Sequence, residues 1–422
     1  MQLLHISDWH LGRVTYNEPR ATDHDAVLAE IVNLARAEHP DVICHTGDLF
    51  DHARPAYPDM ARGITALQEL GAVAPVVVIC GNHDSPALFA LFAQLLGPDS
   101  RIRFVDKARL PADGGVLSFD TADGNVLRLA PLPFVHANRM VDAFEDPTRW
   151  MGAYADRIHD IESALARGLS DGFDNRRDVA VFAAHLHVSG AHFSGSERPI
   201  HISDTYASRL EHLPTVSYAA FGHIHQPQAL PGSVVTGRYA GSPIQLDFGE
   251  VGEQKSVVLV EAKPGRPANV AVIDLVGGRP LRKLEGTLEE LRSVAPSVGE
   301  ELCLVTVHTD TPAIALSEQV RNLLPDAVLL QVYEVCAANK IEVLTKASVA
   351  ADAEPGFEEL FRDYLAEQGT KGAAADQVLR TFASFIAAVD EEQPPTFPEE
   401  ARLAAPVGDA DPVSVGSEEV GP

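Results

Sequence analysis

Short runs of apolar residues alternate with longer stretches of helical period along the first half of the chain. Leu3–Ile6, Val42–Cys44, Val76–Cys80, Val179–Ala183 and Tyr218–Phe221 read as strands covered on both faces. Between them, Asp25–Ala37 places Val27, Leu28, Ile31, Val32 and Leu34 at helical spacing and ends before Pro40. Ala61–Leu70 predicts a second helix, ended by Gly71. Ser85-Pro86 opens a third, with serine as N-cap and proline in the first turn. It runs through Leu88, Phe89, Leu91, Phe92, Leu95 and Leu96. These residues occupy most of its circumference, which favours a core helix over a contact with a second copy. Arg149–Leu169 has helical period as well.

Further along, the period shortens. Val116–Phe119 and Val126–Leu129 flank Asp123-Gly124 and predict a hairpin. Val257–Val260 and Val270–Ile273 flank a turn at Lys263-Pro264-Gly265, so a first domain spans 1–275. A small α+β module follows over 276–340, from a helix at Leu288–Arg292, a strand at Leu302–Val307, a helix at Ser317–Leu324 and a strand at Val328–Val332. Residues 350–390 hold two helical stretches joined around Gly369–Gly372. One carries Phe357, Leu360, Phe361, Tyr364 and Leu365, the other Val378, Leu379, Phe382, Phe385 and Ile386. With no large domain left to cover these stripes, they predict a partner site. Residues 391–422 lack periodicity and are expected to be disordered.

Composition narrows the class. The 422 residues carry a formal net charge of −27, which by itself argues against a nucleic-acid binder. The excess is uneven, since 391–422 hold eight acidic residues against one arginine, and bound metal ions would invert the potential at a site. The longest apolar stretch, around Ala72–Cys80, is far short of the ~20 residues a membrane span needs. Met1-Gln-Leu-Leu-His5 runs straight into the first motif without a leader pattern, so a cytoplasmic location is expected. Cys44, Cys80, Cys303 and Cys336 have no paired spacing and read as small buried hydrophobes.

The chemistry sits where the strands end. Five blocks follow the five apolar runs: Ser7-Asp-Trp-His10, Gly47-Asp-Leu-Phe-Asp51, Gly81-Asn-His-Asp84, Ala184-His-Leu-His187 and Gly222-His-Ile-His225. Any one alone could be a turn or a surface histidine pair. Five in order, each at a strand exit, can bring Asp8, His10, Asp48, Asn82, His185, His223 and His225 to one rim of a sheet. Carboxylates, an amide and imidazoles together suit two divalent ions with open positions.

These blocks, with His5-Ile-Ser-Asp-Trp-His-Leu-Gly12, His185-Leu-His-Val-Ser-Gly190 and Gly241-Ser-Pro-Ile244, resemble the calcineurin-like metallophosphoesterase superfamily. Trp9 and the Gly-Ser-Pro-Ile block are closest to its SbcD nucleases. The resemblance implies a four-layer α/β sandwich of two mixed sheets flanked by helices, with a small α+β capping domain that touches DNA and C-terminal helices. It implies one metal on Asp8, His10, Asp48 and His225 and a second on Asp48, Asn82, His185 and His223, with Asp48 bridging and manganese favoured. His83 would act on the leaving oxygen as a general acid or a clamp, and Asp84 would either orient its ring or only favour the start of the helix that follows. The relatives imply a homodimer, joined with an SbcC-like ATPase into a heterotetramer that cuts duplex ends and hairpins in repair, recombination and replication. No phosphate-binding Gly-x-x-x-x-Gly-Lys motif is present, so ATP would belong to the partner. Asp51 stands where some relatives carry a second catalytic histidine, and His52 follows it. The same ligand set would equally serve a phosphodiesterase or phosphatase for small nucleotides. A non-catalytic scaffold would be expected to have lost ligands, and here every position is filled.

Overall fold

Leu3 and Leu4 face opposite sides of the first strand, and both are fully buried. That alternation, repeated strand by strand, builds a sandwich. Leu4, Ile6, Ile43, Val76 and Val78 pack outward against three helices, while Leu3, Val42, Cys44, Val77 and Ile79 pack inward against a second sheet. The computed structural model describes residues 1–135, 147–194, 197, 207–208, 213, 215–232 and 235–339, and from the C-terminal stretch 361–362, 365, 375 and 378–382.

The first sheet runs Asn269–Asp274, Ser256–Glu261, Gln2–Ile6, Val42–His45, Val76–Ile79, Ile102–Val105. Its last four strands are parallel, and the hairpin of the first two joins antiparallel at Gln2–Ile6. The second sheet runs Gln228–Ala229, Gly237–Tyr239, Tyr218–Gly222, Asp178–His185, Val126–Leu132, Leu117–Asp120. Its central four strands are parallel and its two edges antiparallel. Helices α1 (Ala21–Glu38), α2 (Tyr57–Val73) and α3 (Pro86–Leu96) cover the first sheet. Helix α4 (Pro147–Ser170) covers the second through Ile158, Leu165 and Leu169. This is the expected four-layer α/β arrangement.

Two helices differ from expectation. Gly71 does not end α2, which continues to Val73. A Cβ at Gly71 would come within 3.2 Å of Ile102 Cγ1, so the glycine lets the helix lie close to the sheet. Helix α3 starts as expected, with Ser85 Oγ accepting from Leu88 N–H at 3.3 Å. It is not core all round, however. Phe89 and Phe92 are buried, whereas Leu91 and Leu95 are 46% and 72% exposed.

After the sandwich, Leu281–Gly286, Leu302–Thr309 and Val328–Cys336 form a separate parallel sheet. The first of these strands, with its polar Arg282-Lys283 pair, escaped the sequence reading. Helices α5 (Leu288–Val294) and α6 (Leu316–Leu323) cover the sheet around Val305, Val307 and Val320. Thr287 and Glu290 form a capping box at the start of α5. All four cysteines are free and buried.

Compactness divides the chain into Met1–Lys340 and Ile341–Pro422. In the second unit the rings of Phe361 and Phe382 stack with centroids 4.1 Å apart, and Leu365 is buried. The stripes read as a partner site therefore turn part of their apolar surface to each other. Phe357, Leu360, Tyr364, Phe385, Ile386 and the tail 391–422 lie outside the described residues.

One polar knot ties the start of α1 to the chain that leaves the sandwich. Arg20 is fully buried and donates to Asp23 Oδ2 (2.7 Å) and to the carbonyls of Gln245 (2.7 Å) and Arg279 (3.0 Å). Asp23 also accepts from the Arg279 backbone N–H at 2.7 Å and from its guanidinium at 2.9 Å. Burial would raise the Asp23 carboxyl, but the two arginines override it and hold it down at about 2. A carboxyl lowered by folding stabilises the fold above its unfolded value of 3.8, and that stability is lost as pH falls toward 2. Asp23→Asn should cost about 3–5 kcal/mol, because it strands a buried guanidinium. Urea midpoints of the two proteins should differ at neutral pH and converge as pH falls from about 4 toward about 2.

Candidate metal centre

The parallel strands of both sheets end at one rim, as ligand-bearing strands do in open α/β folds. Their turns are tight. Asp8, His10, Asp48 and His223 all adopt positive φ, at 49°, 48°, 51° and 98°. Side-chain-bearing residues rarely hold such values unless their surroundings impose them. Here the imposition is explicit: Asp8 N–H donates to the Gly47 carbonyl (2.9 Å), His10 N–H to the Asp48 carbonyl (3.0 Å) and His223 N–H to Asp8 Oδ1 (3.1 Å). Glycine precedes Asp48, Asn82 and His223 for lack of room. A Cβ at Gly81 would run into the Asp48 carboxylate, and one at Gly47 into the His185 ring.

All seven residues expected as ligands come together and are buried. Ligating atoms of Asp8, His10, Asp48 and His225 lie within 4.8 Å of one another, as do those of Asp48, His185 and His223. Asp48 belongs to both groups. His10 Nε2 and His225 Nε2 face each other at 3.1 Å. His185 Nε2 and His223 Nδ1 each lie 2.8 Å from Asn82 Oδ1. Imidazole lone pairs, an amide oxygen and carboxylates converging inside a protein are the donors of a site for divalent transition ions, and the set fits two of them.

The electrostatics are those of a centre whose charges want a cation. Burial pushes the Asp8 carboxyl up to about 6. Burial would raise Asp48 too, but His185 and His83 hold it well below the usual carboxylate range. Burial would lower His185, yet the Asp48 carboxylate 3.4 Å away overrides it and pushes the imidazole up to about 9. His10 is lowered to about 3, mainly by burial.

His83 and Asp84 are also here, with different partners from those expected. His83 Nδ1 bonds the Asp51 carbonyl at 2.7 Å, and its backbone N–H donates to Asp48 Oδ1 at 2.8 Å. Asp84 does not orient the His83 ring. Its carboxylate accepts from the backbone N–H groups of Leu49 (3.1 Å), Phe50 (3.0 Å) and Gly81 (2.9 Å), stitching two ligand turns together. Burial and the neighbouring Asp48 push that carboxyl up to about 7.

Sequence reasoning left Asp51 open and missed three supports. Asp51 Oδ1 lies 3.2 Å from His10 Nδ1, behind a ligand candidate, while His52 beside it is 70% exposed. Glu197 Oε1 accepts from the His225 N–H at 3.1 Å, and Glu250 lies 3.4 Å from His225 Nδ1. The Thr46 carbonyl meets His185 Nδ1 at 2.8 Å. Glu197 and Glu250 stand outside the strand-exit blocks, Glu250 just after the Gly241-Ser-Pro-Ile block. Thr46 opens the Thr46-Gly-Asp-Leu-Phe-Asp51 stretch, but it acts through its backbone carbonyl, which residue type does not reveal.

This arrangement defines a metal-dependent phosphoesterase. Residues 1–227 match the calcineurin-like phosphoesterase family and residues 278–369 match the type 5 capsule protein repressor C-terminal domain. The SbcD chain of the SbcCD nuclease of Bacillus subtilis is 31% identical over 67% of this chain and 72% of its own length. That of Escherichia coli is 29% identical over 83% and 90%, and that of Staphylococcus saprophyticus 28% over 68% and 71%. The chain belongs to the calcineurin-like phosphoesterases and, within them, to the SbcD family of SbcCD nucleases.

An ion entering this cluster must displace the proton on His185, and below about 6 it competes with a proton on Asp8 as well. Apparent Mn2+ affinity should therefore rise with pH from about 6 to about 9 and flatten beyond. Chelator-competition titrations across that range would read it, and an affinity independent of pH would contradict the cluster as the binding site.

Proposed function

We propose that this protein is the nuclease component of an SbcCD-type complex, a phosphodiester hydrolase that cuts DNA at a two-metal centre. The observation that carries the reading is the convergence of seven ligand-type side chains from both sheets into one buried cluster, with His83 beside it. Asp8, His10, Asp48 and His225 would hold one ion, and Asp48, Asn82, His185 and His223 the other. The mixed nitrogen and oxygen donors favour manganese over calcium. When bound, such a pair supplies Lewis acidity at the phosphorus and an activated water.

The chain's own residues do the rest. Asp48 can serve both ions, since a carboxylate has two oxygens and this one reaches toward both groups. Asn82 brings a neutral oxygen and limits the buried negative charge. The Asp51 carbonyl keeps the His83 ring oriented with its proton on Nδ1. Any proton the ring passes to the leaving oxygen therefore comes from Nε2. The capping sheet and its helices would carry the duplex past the cluster. With a net charge of −27, the protein alone should hold DNA weakly. The helical stretches of 350–390 would bind an SbcC-like ATPase, and the exposed face of α3 with Leu91 and Leu95 would form a homodimer contact. Nothing in this reading needs a membrane, and no helix among the described residues is long and apolar enough to cross one. The place of work would be the cytoplasm, on the nucleoid.

His83→Gln should lower Mn2+-dependent degradation of end-labelled duplex DNA by about 10²- to 10⁴-fold while both ions still bind. The assay needs wild type and variant, each with and without the ATPase partner and ATP. Wild-type inactivity on DNA in every combination, beside rapid turnover of a small diester, would move the protein to the nucleotide phosphodiesterases.

A further inference from the structure

Glu250 ends a short 3-10 turn, Phe248–Glu250, on the loop after the Gly241-Ser-Pro-Ile block, and it is fully buried. Its Oε1 lies 3.4 Å from His225 Nδ1. Its Oε2 accepts from Lys255 Nζ (2.7 Å), Leu246 N–H (3.0 Å) and Ser242 Oγ (3.4 Å). Lys255 is only 5% exposed. It also donates to the His225 carbonyl at 3.0 Å and pairs with Glu253 at 2.8 Å. The Glu250–Lys255 pair thus grips His225 at both its ring and its backbone. Burying such an ion pair gains little stability over an apolar pair of the same size. Its placement calls for another use.

The histidines of the cluster are not backed alike. His10 Nδ1 meets the Asp51 carboxylate at 3.2 Å and His225 Nδ1 meets Glu250, while His185 Nδ1 meets the neutral Thr46 carbonyl at 2.8 Å. A ring that donates Nδ1–H to a carboxylate is fixed in one tautomer and is a stronger donor at Nε2. The carboxylate-backed rings of His10 and His225 turn their Nε2 atoms to each other at 3.1 Å. We propose that Glu250, held by Lys255, is a positioning residue that makes the Asp8–His10–Asp48–His225 position the tighter of the two metal positions. The inference rests on the ligand assignment above.

The test is an electron paramagnetic resonance titration of Mn2+ into the full chain, counting ions bound against free ion. Wild type should bind two ions, one more tightly than the other. Glu250→Gln should weaken the tighter ion by about 10- to 100-fold and leave the weaker one unchanged. Because this variant leaves Lys255 with Glu253 as its remaining carboxylate, the double variant Glu250→Gln/Lys255→Met removes both partners of the pair and should show the same selective weakening. His225→Gln should lose the tighter ion outright. Wild-type binding by both Glu250 variants, with His225→Gln defective, would overturn the role of Glu250 and leave the ligand assignment standing. Equal weakening of both ions would also overturn it, since that is what general loosening of the fold would cause. Two ions held normally by His225→Gln would overturn the ligand assignment and, with it, the role of Glu250.

Discussion

The site depends on one constraint above all: Asp48 is held as a buried anion in a left-handed turn. Its backbone is locked by the neighbouring turn, where His10 N–H donates to its carbonyl. Its carboxylate takes the His83 N–H and lies beside His185 and His10. Gly81 must lack a side chain for this carboxylate to fit. Strain at Asp8, His10, Asp48 and His223 and the burial of so many polar groups both cost stability. A sandwich with three separate cores supplies it, around the outer helices, between the sheets and under α4.

Around that anion the molecule arranges two kinds of support. Carboxylates and carbonyls behind the imidazoles set which nitrogen faces inward, as at His10, His225 and His185. Backbone N–H groups are gathered by Asp84 and Glu197, which tie turns from different strands into one rim. These bonds, all made within the chain, shape the rim. Burial raises the Asp8 carboxyl, and the Asp48 carboxylate raises the His185 imidazole against its own burial.

Much of this was legible in the chain. Runs such as Val76–Cys80 and Val179–Ala183 are apolar without alternation, which only a strand covered on both faces explains. The ligand candidates stand directly after those runs, so their convergence followed from the parallel strands alone. Other features were illegible for definite reasons. Gly71 looked like a helix end because its function, closeness to Ile102, depends on a strand 31 residues further along. The outer face of α3 looked like core because nothing local distinguishes Leu91 and Leu95 from Phe89 and Phe92. Leu281–Gly286 was missed because its polar residues hide a strand whose partner pairs with it only in the folded module.

Periodicity and residue type at strand ends are local properties, so the layer architecture, the positions of the ligand candidates and the class of chemistry could all be read from the chain. What stands behind each ligand was fixed only on folding. The Asp84 carboxylate is adjacent to His83 in the chain, yet it turns to backbone amides of another loop. Glu250 lies 25 residues from His225 and reaches its ring. Hydrogen-bond partners are settled by distance in space and by the need to satisfy every buried polar atom, and neither is written in the spacing of residues along a chain.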